Sequence, residues 1–364
     1  MVYTRYKRIF EYADHSVDVV LIANRDRVDH NFFYLTGYTG GLFESSYAIL
    51  YPDLHVEVLT SRLEADIARL GPHPVHLPDG YTPAEWMNAL RRLIGEASKV
   101  GVNFKGISHS DYLALSEGLQ GKTLVDVSGA LQRARLVKDP DELERIEMAV
   151  KITSETVNSV PDLLMEGMTE KELQAKIEQG FVERGADSPA FQSIVAFGEN
   201  TALPHYSPQN RRLRRGEPVL VDVGAKYRLY CADQTRTFFY GGVTQRQRQM
   251  YETVLEAQNA ALRLIKKGAE GRAVHLAAAQ YIDTTLFKGK FTHGLGHSLG
   301  LEVHDGAGFG ATSQLVLDEN MVLTVEPGVY VVGEGGVRIE DDIVVTQEGY
   351  RMLTTTPREL TVVG

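Results

Sequence analysis

Apolar and polar positions along the first third of the chain change in short blocks. The runs VDVVLIAN (17–24), SSYAILYP (45–52) and HVEVLT (55–60) are rich in β-branched and aromatic residues and read as strands. SRLEADIARLG (61–71) and PAEWMNALRRLIGEASKVG (83–101) place their apolar residues at helical spacing instead. Such alternation predicts a small α/β domain. Near residue 126 the pattern changes, because LVDVSGALQRARLVKDPDELERIEMAVKITSETVNSV (124–160) leaves a strand and enters a long amphipathic helix. Asp139, Pro140 at the first helical position and Glu142 mark that helix's start. The boundary therefore falls within 125–138, giving domains 1–127 and 128–364. A second capping box, Thr169 to Glu172, opens a helix that Gly185 closes. From about 190 onward strands dominate, apart from helical regions around 244–271 and 273–287.

Composition narrows the class without naming a function. With 43% hydrophobic and 24% charged residues the chain is globular, and its net charge of -10 gives no general pull toward phosphate backbones. No nucleic-acid partner is expected. RRLRRGE (211–217), the nearest approach to a basic stripe, reads as a solvated surface turn. The one cysteine, Cys231, cannot form an intramolecular disulfide, and MVYTRYKRIFEYADH lacks the apolar centre of a signal peptide. A cytoplasmic location follows as the expectation. No apolar run reaches the roughly 18 residues of a membrane span, so no membrane association is expected either.

The chemistry lies in acids embedded among apolar residues. PVLVDVGAKYRLYCADQTRTFFYGG carries Asp222 and Asp233 in two β-rich runs. A hairpin centred on Tyr227 and Arg228 would set the two aspartates directly opposite each other on one face, where they repel and call for a cation. The alternative is that each caps a turn or meets a nearby arginine such as Arg236. Glu326 ends the strand in MVLTVEPGVYVV, and GGVRIEDDIVVT puts Arg338 and Glu340 on one strand face. An isolated glutamate on an edge strand would explain either site singly, but buried acids are costly unless paired or metal-bound. HGLGHSLGLEVHDG (293–306) spaces two histidines four apart, as zinc-protease helices do. Gly294, Gly296 and Gly300 argue against a helix there, so a glycine-rich loop leading into the strand LGLEVH is expected.

As a set, LVDVGA, ADQTRTF, HGLGHSLGLEVHD, TVEPGVY and VRIEDDIVVT resemble the pita-bread metallopeptidases, the group of methionine aminopeptidase, aminopeptidase P and prolidase. FFYLTGYTG (32–40), in the separate N-terminal domain, resembles the prolidase and aminopeptidase P branch. The resemblance implies an α/β (α+β) fold in which a smaller creatinase-type N-terminal domain precedes a pita-bread catalytic domain with a curved antiparallel sheet. It implies metal ligands Asp222, Asp233, His297, Glu326 and Glu340 holding two divalent ions per chain. An oxygen-rich set favours Mn²⁺ or Co²⁺, with Zn²⁺ or Fe²⁺ as alternatives. It further implies Glu326 as proton shuttle, His304 as donor to the tetrahedral intermediate and His205 as a substrate-side histidine. His293 is a pocket or loop-structural residue, Arg338 orients a metal-bound carboxylate beside the substrate, and Phe191 and Val303 form an apolar wall for a proline ring or simply belong to the core. The implied activity is hydrolysis of Xaa-Pro bonds in short proline-containing peptides by a homodimer, as prolidase or alternatively as Xaa-Pro aminopeptidase. HDGAGFGATSQ lacks the arginine that receives a dipeptide carboxylate in many prolidases, which keeps the second reading open. Two other classes remain, a creatinase-like hydrolase without metal and a non-enzymatic binding module, though all five ligand positions are intact.

Overall fold

The short apolar runs of the N-terminal part pair into one mixed six-stranded sheet in the computed structural model, which describes residues 3–25 and 27–364. Met1 and Val2, which begin the stretch read for a signal peptide, and Asp26 lie outside the described residues. The chain divides into two units, Met1–Arg135 and Leu136–Gly364. In the first, strands β1 (Val19–Asn24), β2 (Ser46–Leu50), β3 (Val56–Leu59), β4 (Val75–His76), β5 (Lys99–Val102) and β6 (Thr123–Asp126) stand in the order β4-β3-β2-β1-β5-β6. Every residue of β1 is buried, which explains its unbroken apolar run. FFYLTGYTG supplies a short helix, His30–Thr36, capped by Asp29 and closed by Gly37 at φ 68°.

Two helical expectations are corrected. The helix expected over 61–71 shrinks to Ala65–Ala68, because Leu63 and Leu70 face solvent and the apolar spacing marks no buried stripe. The helix expected over 83–101 ends at Ile94, and its last residues belong to β5 (Lys99–Val102). Two helices follow β6, Ser128–Leu136 and Pro140–Asn158, the second starting where expected, at the capping box in which Glu142 Oε2 accepts from the Asp139 amide at 2.9 Å. The first of them lies almost wholly in the first unit, where Tyr34 donates its hydroxyl to the Ala134 carbonyl.

The second unit is built as two αβ halves. Helices Pro140–Asn158 and Glu170–Glu183 cover a sheet of order β20-β12-β9-β8, made of β8 (Ile194–Phe197), β9 (Glu217–Val223), β12 (Gln234–Tyr240) and β20 (Thr361–Val363). Strands β7 (Ser188–Pro189), β10 (Ala225–Tyr227) and β11 (Tyr230–Cys231) extend the hairpin beyond Val223. In the other half, helices Gln245–Leu262 and Gly271–Asp283 pack on β15 (Val322–Val325), β18 (Asp341–Val345) and β19 (Tyr350–Met352). Strands β16 (Gly328–Val331) and β17 (Gly335–Arg338) pair antiparallel, as do the two-residue strands β13 (Gly296–His297) and β14 (Gly308–Phe309). This is the pita-bread architecture. Among the described residues no helix is long and apolar enough to cross a membrane.

Strand alternation decides which side chains the halves share. Val219, Val221 and Val223 of β9 enter the first core, so the intervening Asp222 points to the opposite face. On β12, Phe238 enters the first core and Phe239 the second, which puts Thr235 and Thr237 on the face that meets β17. Thr237 Oγ1 accepts from the Arg338 amide and donates to the Arg338 carbonyl, taking the place of a ladder pair between β12 and β17.

Candidate metal centre

The hairpin that carries the two aspartates has a register one residue later than expected in each strand. Its turn is Arg228–Leu229, both with positive φ (45° and 72°), so Tyr227 pairs Tyr230 and Asp222 pairs Thr235. Asp233 thus lies diagonal to Asp222 rather than opposite it, still on the same face. Gly224 is required there, since a Cβ would stand 1.9 Å from the Ala232 carbonyl oxygen and 2.9 Å from the Phe191 ring. Arg236, the suggested partner of the aspartates, is turned away. It is buried against Asp341 Oδ1 and the carbonyls of Thr356 and Pro357.

No helix forms over 293–306. The expected strand LGLEVH is also absent. Its residues form bends, and the strand is Gly296–His297, paired with β14. Ser298 donates its hydroxyl to the Asp305 carbonyl and closes the intervening loop on itself. A Cβ at Gly296 would meet the Thr324 carbonyl at 2.0 Å, so the glycine lets this strand lie against β15.

Around this frame the expected residues converge. Ligand atoms of Asp233, His297 and Glu340 all lie within 4.8 Å of one another. His297 Nε2 stands 3.6 Å from Asp233 Oδ2 and 3.5 Å from Glu326 Oε1. Its Nδ1 faces the Ser298 carbonyl at 3.3 Å, so Nδ1 carries the proton and the Nε2 lone pair faces the carboxylates. Asp222 Oδ2 accepts from Arg338 Nη2, whose Nε donates to Thr235 Oγ1 and Nη1 to Tyr330 Oη. Thr235 in turn donates to Glu340 Oε2 at 2.7 Å. Arg338 thereby holds one carboxylate directly and another through a threonine. The strand face expected to carry Arg338 and Glu340 is interrupted, because β17 ends at Arg338 and β18 begins at Asp341. Thr235 bridges the gap.

A cavity of about 370 Å³ opens over these groups. Its wall includes Phe191, Val303, His205, His293 and His304 beside the five ligand candidates and Arg338. His304 and His205 are exposed; the His304 ring lies 4.1 Å, centroid to centroid, from that of His297. His293 Nε2 is 2.9 Å from the Tyr330 hydroxyl and Nδ1 is 2.8 Å from the Gly294 carbonyl.

The charges are not balanced by protein alone. Burial, reinforced by Glu340 and Asp222, pushes the Asp233 carboxyl well above the usual carboxylate range. Burial and the field of Glu326 do the same to Glu340. Glu326 rises to about 8, burial and Asp222 outweighing Arg338. His297 falls to about 4 through burial and its neighbour His304, and His293 to about 4 through burial and Arg338. Among the described residues, the buried Asp233 Oδ1 has no hydrogen-bond partner. Crowded carboxylates, an unpartnered oxygen and an imidazole lone pair aimed at them fit a divalent cation.

These shifts give a pH dependence for the chelator-treated protein. Between about pH 4 and 6.5 the lowered histidines and the raised carboxyls act in opposite directions on stability. Above about 6.5 the imidazoles are neutral in both states, whereas the folded carboxyls still hold protons that the unfolded chain has released. Unfolding then gains protons for solvent, and stability should fall from pH 6.5 through about 8, by about 1.4 kcal/mol per pH unit for each proton held. Thermal unfolding at pH 6.5, 7.25 and 8 measures this, and a metal-free Tm that rises with pH would contradict the charge assignment.

Sequence reasoning passed over Thr235, Tyr330 and Asp342. Thr235 was findable, two residues from Asp233 on the same face. Asp342, whose Oδ2 accepts from the Asp233 amide, met the same criterion as Glu340, an acid inside an apolar run. Tyr330 gave no signal, because only the β16–β17 pairing brings it to Arg338.

The chain is similar to known proteins along nearly all its length. Residues 144–347 match the model of metallopeptidase family M24, and residues 7–137 match the creatinase/prolidase N-terminal domain. A Xaa-Pro dipeptidase of Pyrococcus horikoshii is 34% identical over 98% of this chain and 98% of its own. The solved structure of a Xaa-Pro dipeptidase from Bacillus anthracis superposes with a TM-score of 0.92 at 29% identity, covering 100% of both chains. That of an X-Pro aminopeptidase from Thermotoga maritima gives 0.90 at 30% identity, over 97% of this chain and 100% of the other.

Proposed function

The chain belongs to metallopeptidase family M24 and carries a creatinase/prolidase N-terminal domain, and from that premise we propose that it is a Xaa-Pro dipeptidase, hydrolysing the bond that joins a residue to the proline after it. The observation that carries this reading is the 34% identity to a Xaa-Pro dipeptidase over 98% of both chains.

In this reading Asp222, Asp233, His297, Glu326 and Glu340 hold two divalent ions, Mn²⁺ or Co²⁺ before Zn²⁺ or Fe²⁺, since four carboxylates and one imidazole make a hard, oxygen-rich set. When bound, such a pair supplies Lewis acidity toward the scissile carbonyl and the attacking water. The chain's own residues do the rest. Glu326 takes the water proton and passes it to the departing proline nitrogen. Arg338 borders the cavity, and each of its three guanidinium nitrogens donates to Asp222, Thr235 or Tyr330, so it holds the carboxylates in place beside the substrate. His304 and His205 donate toward charge developing at the reacting carbonyl, with His293 completing the pocket wall. Phe191 and Val303 offer the apolar surface for the proline ring. The reading includes a cytoplasmic homodimer, its location supported by the lone, buried Cys231.

One observation favours Xaa-Pro aminopeptidase activity as the second reading. Among the described residues Arg338 is the one arginine of the cavity wall, and each of its guanidinium nitrogens already has a partner, so no lysine or arginine described there is left unengaged to receive a dipeptide's carboxylate. Rates on Met-Pro, Ala-Pro-Pro and Met-Ala after reconstitution with Mn²⁺ or Co²⁺ decide between them. Met-Pro should be the best substrate; faster cleavage of Ala-Pro-Pro would replace the first reading by the second, and preference for Met-Ala would end both.

A further inference from the structure

The loop that brings His205 to the cavity is tied down by a carboxylate that no part of the chemistry above uses. Glu170 opens the helix Glu170–Glu183 immediately after its N-cap Thr169, and it is fully buried. Its Oε1 accepts from the Phe197 amide at 2.9 Å and from Asn200 Nδ2 at 2.9 Å. Its Oε2 accepts from the Tyr206 hydroxyl at 2.8 Å and the Gln209 amide at 2.9 Å. Four donors thus meet one ionised group, two from the start of the segment 197–209 and two from its end. Asn200 Nδ2 also donates to the Tyr206 hydroxyl at 2.8 Å, joining the two ends to each other.

Between these ends the first half of the segment is the 3₁₀ turn Gly198–Ala202, with Thr201 and Ala202 buried. Thr201 Oγ1 accepts from the Gly336 amide at 2.7 Å, fixing the first half of the loop to β17. Beyond Thr201, Leu203 is half exposed, and exposed His205 borders the cavity next to Tyr206. The backbone carrying that imidazole is therefore set by its neighbour's grip on Glu170. A charged acceptor suits the task, because each bond it receives is stronger than a neutral one and the adjoining helix N-terminus favours its negative charge.

We propose that Glu170 is a positioning residue for Xaa-Pro hydrolysis, holding the 197–209 loop so that His205 stands at the substrate. The proposal rests on the function proposed above for the role of His205, while the anchoring itself does not. Glu170→Gln is close in size but replaces one acceptor oxygen by an amide that faces hydrogen-bond donors. It should lower kcat/KM by about 10- to 100-fold, the scale of a modest misplacement of a reacting group, with bound metal unchanged. In a His205→Ala background the same substitution should cost less than about twofold, because the imidazole it positions is gone. Independent, multiplicative losses in the double variant would overturn the proposal and leave Glu170 a purely structural anchor.

Two further readouts close the gaps. Should Glu170→Gln fail to fold, Tyr206→Phe removes one of the four bonds and leaves the carboxylate in place; its loss in kcat/KM must likewise disappear in the His205→Ala background, or the proposal fails. Amide exchange reads the anchor without substrate. In Glu170→Gln the Phe197 or the Gln209 amide should exchange about tenfold faster or more, with the helix Glu170–Glu183 still protected. Unchanged protection at both amides would refute the anchor. A wild-type protein that cleaves no Xaa-Pro peptide would instead sink the proposed function, with exchange still deciding whether Glu170 holds the loop.

Discussion

Glu340→Gln is expected to lower kcat/KM by about 10³-fold and to abolish the stabilisation that Mn²⁺ confers, while the metal-free fold survives. Glu340 is almost completely buried, and its ligand oxygen lies within 4.8 Å of those offered by Asp233 and His297. Glutamine keeps the volume and one acceptor, so Thr235 still has an oxygen to donate to, but the charge that attracts the cation is lost. Lewis acidity at the carbonyl and water is worth several kcal/mol, and about 4 kcal/mol corresponds to roughly 10³-fold. Metal-free protein responds in the opposite sense. There the substitution removes a buried carboxyl that Glu326 and Asp222 repel, so the Tm holds or rises. Calorimetry with and without Mn²⁺ separates the effects, since a saturating ion at about 100 Kd adds roughly 2.7 kcal/mol to a protein that binds it. A Glu340→Gln protein stabilised by Mn²⁺ like the wild type would exclude Glu340 from the ligand set.

His304→Ala should retain metal and lose about 10²-fold in kcat. Its ring is exposed beside that of His297, and it lies on the cavity wall rather than among the three groups whose ligand atoms cluster. A donor aimed at charge that develops only in the transition state acts on kcat more than on KM, and removing one such donor typically costs 10²–10³-fold. Metal analysis alongside steady-state kinetics tests both halves of the claim. Loss of metal would turn His304 into a ligand, and full activity would leave the loop without a catalytic part.

Much of this site was readable from periodicity. An acid inside a β-branched run is costly when buried, and that consideration made Asp222, Asp233, Glu326 and Glu340 candidates, though it applies equally to Asp342; the resemblance to the pita-bread metallopeptidases is what selected the four. The glycines around His297 ruled out a helix for a local reason, and the structure shows what they permit, the contact of Gly296 with the Thr324 carbonyl. Capping residues placed the starts of the helices Pro140–Asn158 and Glu170–Glu183 because a cap satisfies its own helix's amides within four residues.

What failed was what depends on distant partners. The hairpin register missed by one residue per strand because Arg228 and Leu229 both adopt positive φ, which neither residue type announces. The strand expected over LGLEVH became bends because the Ser298 and Asp305 contact closes that loop on itself. The sequence by itself determined where the capped helices begin and which acids sit inside apolar runs, since those follow from local periodicity and capping within a few residues. Only the tertiary structure decided that Arg338 would hold Asp222 and Thr235, that Tyr330 would join His293 to Arg338, and that Glu170 would fasten the His205 loop. Most of these are hydrogen bonds between segments far apart in the chain, and even the nearer Tyr330–Arg338 bond forms only once β16 pairs β17, so their geometry is fixed by packing rather than by local sequence.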